Sequence, residues 1–519
     1  MGSIPLLHAH VRAWNNAYSG SCMVQHVVQH AQDRLPLPAA LVVILTLLVC
    51  FVCGCGANPA APASGLSSGA GGQSTTAPVP GETTTVTVLV SSTANDELTD
   101  FQLSFGTLTL TDAAGKSVTV FNLDKGSQLA EFIHSNSVLD PVISVSVPQD
   151  VYTSATLTFS NPQFSFVTSS AGYIYFNTAV NLGRGGFEPA AVTLPSAITV
   201  SGASMALVIN SEVSQSVSMS GSPQENNFSS SVTPSFSITS VPVSSAQNAF
   251  GSGQVNAFGR IASLAASASG QNSLVLNLPT GTALTIASDG NTAWQGVNGY
   301  DSLSGGMFAD IGVAIQADGT LLATRVEVPD PTARDLVTGP VFNIDPSAGI
   351  FNLVGEREQG QDFSSFRSGG MALQFTGNTQ FRLYGGFQAP DGLPFTPVFD
   401  STSIVAGQNV AVTSQSIPLS GPYPTATTMT LLPQTVDGTV DSLSSNNGFQ
   451  VYEVSLASYD PLSATHGGVT LEVYGSSQTL LLNSTPAKPG QVLRFHGMVF
   501  SEQGSLEMVA DQVNDGVAE

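Results

Sequence analysis

The stretch GRIASLAASASGQNSLVLNLPTGTALTIASDGNTAW, Gly259 to Trp294, decides the architecture, because its parts return twice further along the chain. It opens on Gly259-Arg-Ile261, and the opening recurs at Gly339-Pro-Val341 and Gly438-Thr-Val440. Each opening leads to an apolar strand, SLVLNL, GIFNLV or GFQVYEV, and then to a second, ALTIAS, MALQFTG or VTLEVYG, which runs into NTAW, NTQFRLY or SQTLLLN. A further glycine precedes another strand in every copy, at Gly306-Met-Phe308, Gly407-Gln-Asn-Val410 and Gly490-Gln-Val492. The first and third copies close alike, with DGTLLATRVEV at Asp318–Val328 and QGSLEMVADQV at Gln503–Val513. Such repetition signals one supersecondary unit made several times. Roughly five or six short strands per copy, with glycine where a strand must bend, predict small OB-like β-barrels. Their expected limits are 255–330, 336–434 and 435–515.

Upstream, apolar residues alternate with polar ones in Val86, Val88, Val90, then Phe101, Leu103, Phe105, then Ile143, Val145, Val147. A period of two is the signature of a strand with one buried face. Turn chemistry at Asp112-Ala-Ala-Gly115-Lys116 and Pro148-Gln-Asp150 separates the runs, so residues 83–219 are expected to form an antiparallel β-sandwich. A helix of about two turns is expected near Ser127–His134, where Leu129, Phe132 and Ile133 would share a face. The Ser-rich residues 220–254 read as a linker. The whole is an all-β chain: one sandwich followed by three barrel repeats.

The repeats, over roughly residues 255–515, resemble domain-of-unknown-function family 5666, which implies a bacterial surface lipoprotein. The region 83–219 resembles family 4382 of the same class, through VTVLVSSTANDEL, the strand pair either side of AAGKS, and VSVPQDVYTSATLTF. The second repeat departs most, carrying EREQGQDFSSFRSGG (Glu356–Gly370) and GGFQAPDGLPFTPVFD (Gly385–Asp400). Such excursions are expected to display binding loops at one end of a barrel.

The N-terminus points to where the chain works. Within LPLPAALVVILTLLVCFVCGCGANPAAPA, Leu35–Ala63, the run Ala39–Cys55 has the length of a secretory h-region and sits at the short end for a spanning helix. Val52-Cys53-Gly54-Cys55 resembles a bacterial lipobox, with a small residue directly before Cys55; Val49 and Val52 disfavour Cys50 and Cys53. Residues 1–54 thus read as a signal peptide, with Met23 an alternative start, and 55–82 as a lipidated cysteine on a tether that has no charge from Gly56 to Gly81. Acyl chains on Cys55 would hold the protein stably on its membrane, with the outer membrane or cell surface favoured. The competing reading is a retained single-span anchor. All four cysteines, Cys22, Cys50, Cys53 and Cys55, lie at or before the processing point, so no disulfide is expected in the mature chain.

Of 13 basic residues, Arg12 and Arg34 leave with the signal, and of 36 acidic ones Asp33, giving 11 against 35 and a mature charge of −24. So acidic a chain is repelled by phosphate backbones, which argues against nucleic acid as a partner. Gly65-Leu-Ser67-Ser-Gly69 fits a nucleophile-elbow formula but lies in the tether, and Gly115-Lys116-Ser117 lacks the rest of a phosphate loop. His466 and His496, with Asp460 or Glu472, lack short metal spacing, and Asp330 and Asp335 sit in no calcium-loop pattern. No catalytic residue, metal or cofactor is assigned. The candidate ligand contacts are aromatic: Trp294, Tyr300, Phe363, Phe366, Phe387 and Phe395, with Phe308, Tyr173 and Tyr175 behind them. Packing inside the barrels is the competing role for these rings. The expected function is a non-catalytic binding, adhesion or envelope-assembly module whose partner is a glycan or an envelope protein. The alternatives are a carboxylate-dependent glycan hydrolase and a structural envelope spacer.

Overall fold

The structure, a computed structural model, describes residues 77–514 except 94–97, 99, 124–129, 133–138, 169–172, 179–185, 221–228, 242, 244–254, 268–270, 355–356, 360–370, 416–422, 458–459, 467–468, 483–485 and 503. Among these the chain is almost entirely β, with short α-helices at Val213–Ser216 and Pro461–His466.

Residues 83–241 form a sandwich of two sheets. In one, the strands run in the order Asp140–Pro148, Thr83–Thr93, Ser204–Glu212, Ser235–Val241, Ala191–Thr193. The other is built on Asp150–Thr168 and Asp100–Asp112, flanked by Ile198–Val200 and Ser117–Asn122. The alternating residues face inward: Val86, Val88, Phe101, Leu103 and Phe105 are all at most 2% exposed.

Three expectations need correction. The first sheet is mixed, since Thr83–Thr93 pairs parallel with Ser204–Glu212, and Ser235–Val241 parallel with Ala191–Thr193. The expected helix is overridden at Ala130–Glu131, which pairs with Leu103 and Gln102; this seats Phe132 against Phe101, Phe105 and Phe236, where a full ring is buried. The expected linker contains a core strand, Ser235–Val241, whose Phe236 and Ile238 are fully buried. Burying such side chains contributes about 1.5–3 kcal/mol each, which outweighs the low β-propensity of their serine-rich setting.

The three repeats share one barrel plan. In the third, the strands Gln434–Asn446, Phe449–Leu456, Thr470–Leu482, Ser505–Asn514 and Val492–Glu502 close in that order, with Thr470–Leu482 parallel to Ser505–Asn514. Numbered along the copy this is 1-2-3-5-4, the OB arrangement. The first barrel closes by the same parallel pairing, Ile286 with Leu321 and Ala287 with Leu322, and the second through a single bridge between Gln374 and Thr425.

Two devices recur in every copy and account for the repeated motifs. The N–H groups of Gly306, Gly407 and Gly490 donate to the carbonyls of Ile261, Val341 and Val440 at 2.7, 2.5 and 2.7 Å. The N–H groups of those three residues return to the carbonyls of Met307, Gln408 and Gln491 at 2.8, 2.9 and 2.9 Å. The two glycine motifs of each copy are therefore bonded to each other. The glycines have φ of 96°, 90° and 84°, a region costly for any side chain. At the opening glycine the reason is different: a Cβ on Gly259 or Gly438 would strike the carbonyl of Asn277 or Ser455. A β-bulge follows each opening, between Ile261 and Ser263, Val341 and Asn343, and Val440 and Ser442, bending strand 1 around the barrel.

The second device is a threonine clamp. Thr292, Thr379 and Thr479 donate their hydroxyls to the carbonyls of Ala323, Ala426 and Ala510, on strand 5 or just before it, at 2.9, 2.7 and 2.7 Å. Each hydroxyl also accepts the N–H of the residue three before it, Asp289, Thr376 or Ser476. One side chain thus holds the turn after strand 3 and ties it to strand 5, where the barrel closes.

Candidate functional site

The modules are joined through side chains, and the second repeat's loop Gly385–Asp400 lies at the centre of the joints. Upstream, the outer face of the sandwich, with Leu89, Ala206 and Val208, shares one apolar cluster with the first barrel. Thr282 donates to the Val142 carbonyl at 2.5 Å and Ser204 to that of Ala317 at 2.6 Å across this boundary.

Between the first and second barrels the joint is polar, with the second repeat docked on an ion-paired cluster of the first. Arg325 and Glu327 lie two apart on strand Leu321–Glu327 and so share a face, and Asp310 on the neighbouring strand is in register with Glu327. The Arg325 guanidinium reaches Asp310 at 3.0 Å, Glu327 at 2.9 Å and the Tyr384 hydroxyl at 2.8 Å, with its carbon 4.8 Å from the Tyr384 ring centre. The Gly385 N–H donates to Glu327 at 2.9 Å, and Gln295 donates to the Gly385 carbonyl at 3.0 Å. Burial, then the charge of Asp310, pushes the Glu327 carboxyl above its ordinary value, and Tyr384 likewise. The two carboxylates share one guanidinium within the first barrel, and Tyr384 and Gly385 of the second repeat dock onto that cluster.

Between the second and third barrels the joint is aromatic. Phe387 lies 5.5 Å from Phe500, and Phe395 lies 5.5 Å from Tyr474 and 5.8 Å from Phe500. Phe449 and Val451 complete the buried patch on the third barrel. Phe449, Val451 and Tyr474 point outward from strands 2 and 3, alternating with the inward Tyr452, Val454 and Val473, and Phe500 joins them from strand 4. That wall is where OB barrels receive ligands, and here the chain's own loop covers it. Gln408 donates to the Val499 carbonyl at 3.0 Å, His466 Nε2 to that of Ala406 at 3.0 Å, and Gly407 abuts Leu462 in the short helix.

Beside this seal runs a row of carboxylates. Glu453, Glu472 and Glu507 are in register on three adjacent strands, with Glu502 in the hairpin beyond. Tyr474 donates to Glu472 Oε2 at 2.5 Å. Glu507 is 9% exposed, and its Oε2 is enclosed with no donor among the described residues. Burial, then the charges of Glu502 and Glu472, pushes its carboxyl up to about 7.

The aromatic candidates fall in different places. Phe395 is 8% exposed and Phe387 half-buried, and both rings pack in the seal. This corrects the expectation of a displayed loop: a segment rich in Phe and Pro gains more by covering a neighbour's apolar wall than by facing water. Trp294 and Tyr300 pack at the edge of the first barrel's core, with the Tyr300 hydroxyl on the Ser273 carbonyl at 2.6 Å. Phe308 is fully buried beneath Arg260. Phe363, Phe366 and Cys55 lie outside the described residues, as do the side chains of Tyr173 and Tyr175. His496 pairs with Asp511 at 2.6 Å, and Asp460 accepts the Leu462 N–H; the structure does not bring them together with His466. Asp330 is engaged by Thr332 and Thr427. Among the described residues no group of three or more His, Cys, Asp or Glu is arranged to hold a metal ion.

Sequence reading missed Arg325, Tyr384, Tyr474 and Glu507. The one available signal was TRVEV, which sets an Arg and a Glu on one strand face in a chain poor in cations.

The domain of unknown function DUF5666 matches residues 258–327, which is the first barrel almost from end to end. No curated protein matches the chain.

Proposed function

We propose that the chain is a lipid-anchored, extracytoplasmic β protein that works as a non-catalytic binding, adhesion or envelope-assembly module. Cys55 would carry the anchor, residues 55–82 the tether, and the sandwich would be a domain of family 4382. The observation that carries this reading is the chain of buried joints. Domains in one polypeptide move independently unless their interfaces are large and apolar, and here apolar, hydrogen-bonded and aromatic contacts fasten each module to the next. A fastened body behind a lipid anchor suits presentation of a surface to a glycan or an envelope protein. Its acidity disfavours nucleic acid.

One observation favours the glycan-hydrolase reading: Glu507, held near 7 beside Glu472, resembles an acid and base pair. Against it, the unpartnered Glu507 oxygen is enclosed, so no sugar oxygen can reach it in this conformation. Incubating the full chain with isolated envelope fractions and soluble polysaccharides separates the two. Retention on one fraction without release of reducing ends supports the binding module. Release of reducing ends that is lost in Glu507→Gln would replace it with the hydrolase.

A further inference from the structure

We propose that residues 386–399 are an autoinhibitory strap: they occupy a wall of the third barrel that takes an extended peptide rich in phenylalanine and proline, and the first barrel holds them there. The strap is fixed at its ends. At its start, Gly385 donates to Glu327 and accepts from Gln295, both on the first barrel. A Cβ at Gly385 would overlap Gln295 Oε1 and Glu327 Oε2, so the docked backbone has no room for a side chain. At its end, Asp400 closes a turn with Thr402 and Ser403. Between these points no strand or helix forms, and none of residues 388–399 exchanges a backbone hydrogen bond with another described residue. Rings keep the segment down: Phe387 on Phe500, and Phe395 on Phe500 and Tyr474, with Gly392 beside Asn447 and Phe449. Such a segment can leave without opening the ladder of any barrel, as lids and binding loops do.

The chemistry of the strap names what the wall holds once it is free. Pro390, Pro394 and Pro397 stiffen an extended backbone, and aromatic walls capture such segments through side chains with little ordering cost. Phe449, Tyr474 and Phe500 supply that wall. A free peptide of the same kind competes with a segment already tethered beside the wall, so it binds only in the fraction of molecules whose strap is off. Because one segment touches both outer barrels, loosening its seat on the first raises that fraction at the third. The strap stands on contacts within the chain, and its partner class rests on the binding-module reading.

A labelled synthetic peptide of residues 385–400, titrated into the full chain by fluorescence anisotropy, tests the proposal. Gly385→Val removes the seat on the first barrel, and Phe395→Ala the ring on the third. Each should bind the peptide about tenfold more tightly than the wild type, the gain expected when the free fraction rises tenfold. Adding Tyr474→Ala to Gly385→Val should abolish that binding. Brief chymotrypsin digestion reads the strap directly, and cleavage after Phe387 and Phe395 should quicken in Gly385→Val. Unchanged cleavage would overturn the hold by the first barrel. Faster cleavage without tighter binding would overturn the wall as a peptide site, and a wild type that binds as tightly as the variants would overturn inhibition. If Gly385→Val is cut throughout its barrels, Gln295→Ala, an exposed residue that loses its bond to Gly385, takes its place under the same criteria. Failure of the binding-module reading looks different: envelope fractions retain neither wild type nor variants, whatever the peptide does.

Discussion

Arg325 and Glu507 represent the two ways this chain buries charge. Arg325 lies between Asp310 and Glu327, so its removal takes the shared guanidinium from both carboxyls, one of them buried. Arg325→Met is expected to destabilise the protein by about 3–5 kcal/mol in urea unfolding. Arg325→Lys should recover only part of this, because one ammonium cannot fork to two acceptors and stack on Tyr384. Glu507 is pushed up by burial and by Glu502 and Glu472, and its sign follows from linkage. Its folded value of about 7 exceeds the ordinary 4.5, so between these the folded protein holds a proton that the unfolded chain releases. Its contribution to stability is full below about 4.5, falls as pH rises through this window, and levels above about 7. Urea midpoints at pH 5 and pH 8 should show that decline in the wild type and a shallower one in Glu507→Gln. Asp400 acts oppositely: hydrogen bonds from Thr402 and Ser403 hold it below 3.8, so its contribution is lost only as pH falls beneath that value.

At the scale of the elements, the glycine pairs and threonine clamps explain why the barrel repeats were legible in the sequence. Ile261, Val341 and Val440 follow the opening glycines because their backbones bond to the second glycine motif, and Thr292, Thr379 and Thr479 recur because each closes its barrel. Replacing any of the three threonines with Val should cost about 1–3 kcal/mol, since the strand-5 carbonyl loses its donor in a buried place. The check is thermal unfolding of the three single variants, which should fall by similar amounts. Other elements were hidden for equally physical reasons. Ser235–Val241 carries its alternation, Phe236 and Ile238, inside a serine-rich tract whose composition reads as linker. Ala130–Glu131 belongs to a strand only because Asp100–Asp112 lies alongside, a long-range pairing that local helix periodicity cannot register. Parallel pairing in the sandwich is likewise a property of topology, invisible to a period of two.

For the molecule as a whole, the Gly385–Asp400 loop stood out in the sequence, but its destination did not. Phe387 and Phe395 look the same in sequence whether a loop faces solvent or a neighbouring barrel, and only the third barrel's outward Tyr474 and Phe500 decide it. If the seal joins the barrels into one cooperative unit, the second and third should melt together. Phe395→Ala, which empties a buried ring site at a cost of about 3–5 kcal/mol, should split that transition in two in calorimetry. The proposal that such a body presents a surface outside the cell rests on Cys55. The decisive measurement is the intact mass of the protein purified from native membranes, wild type against Cys55→Ser. A species that begins at Cys55 and carries acyl mass, absent from the variant, is the predicted result. An unacylated chain that retains residues 35–54 would contradict it, making the apolar run a membrane helix.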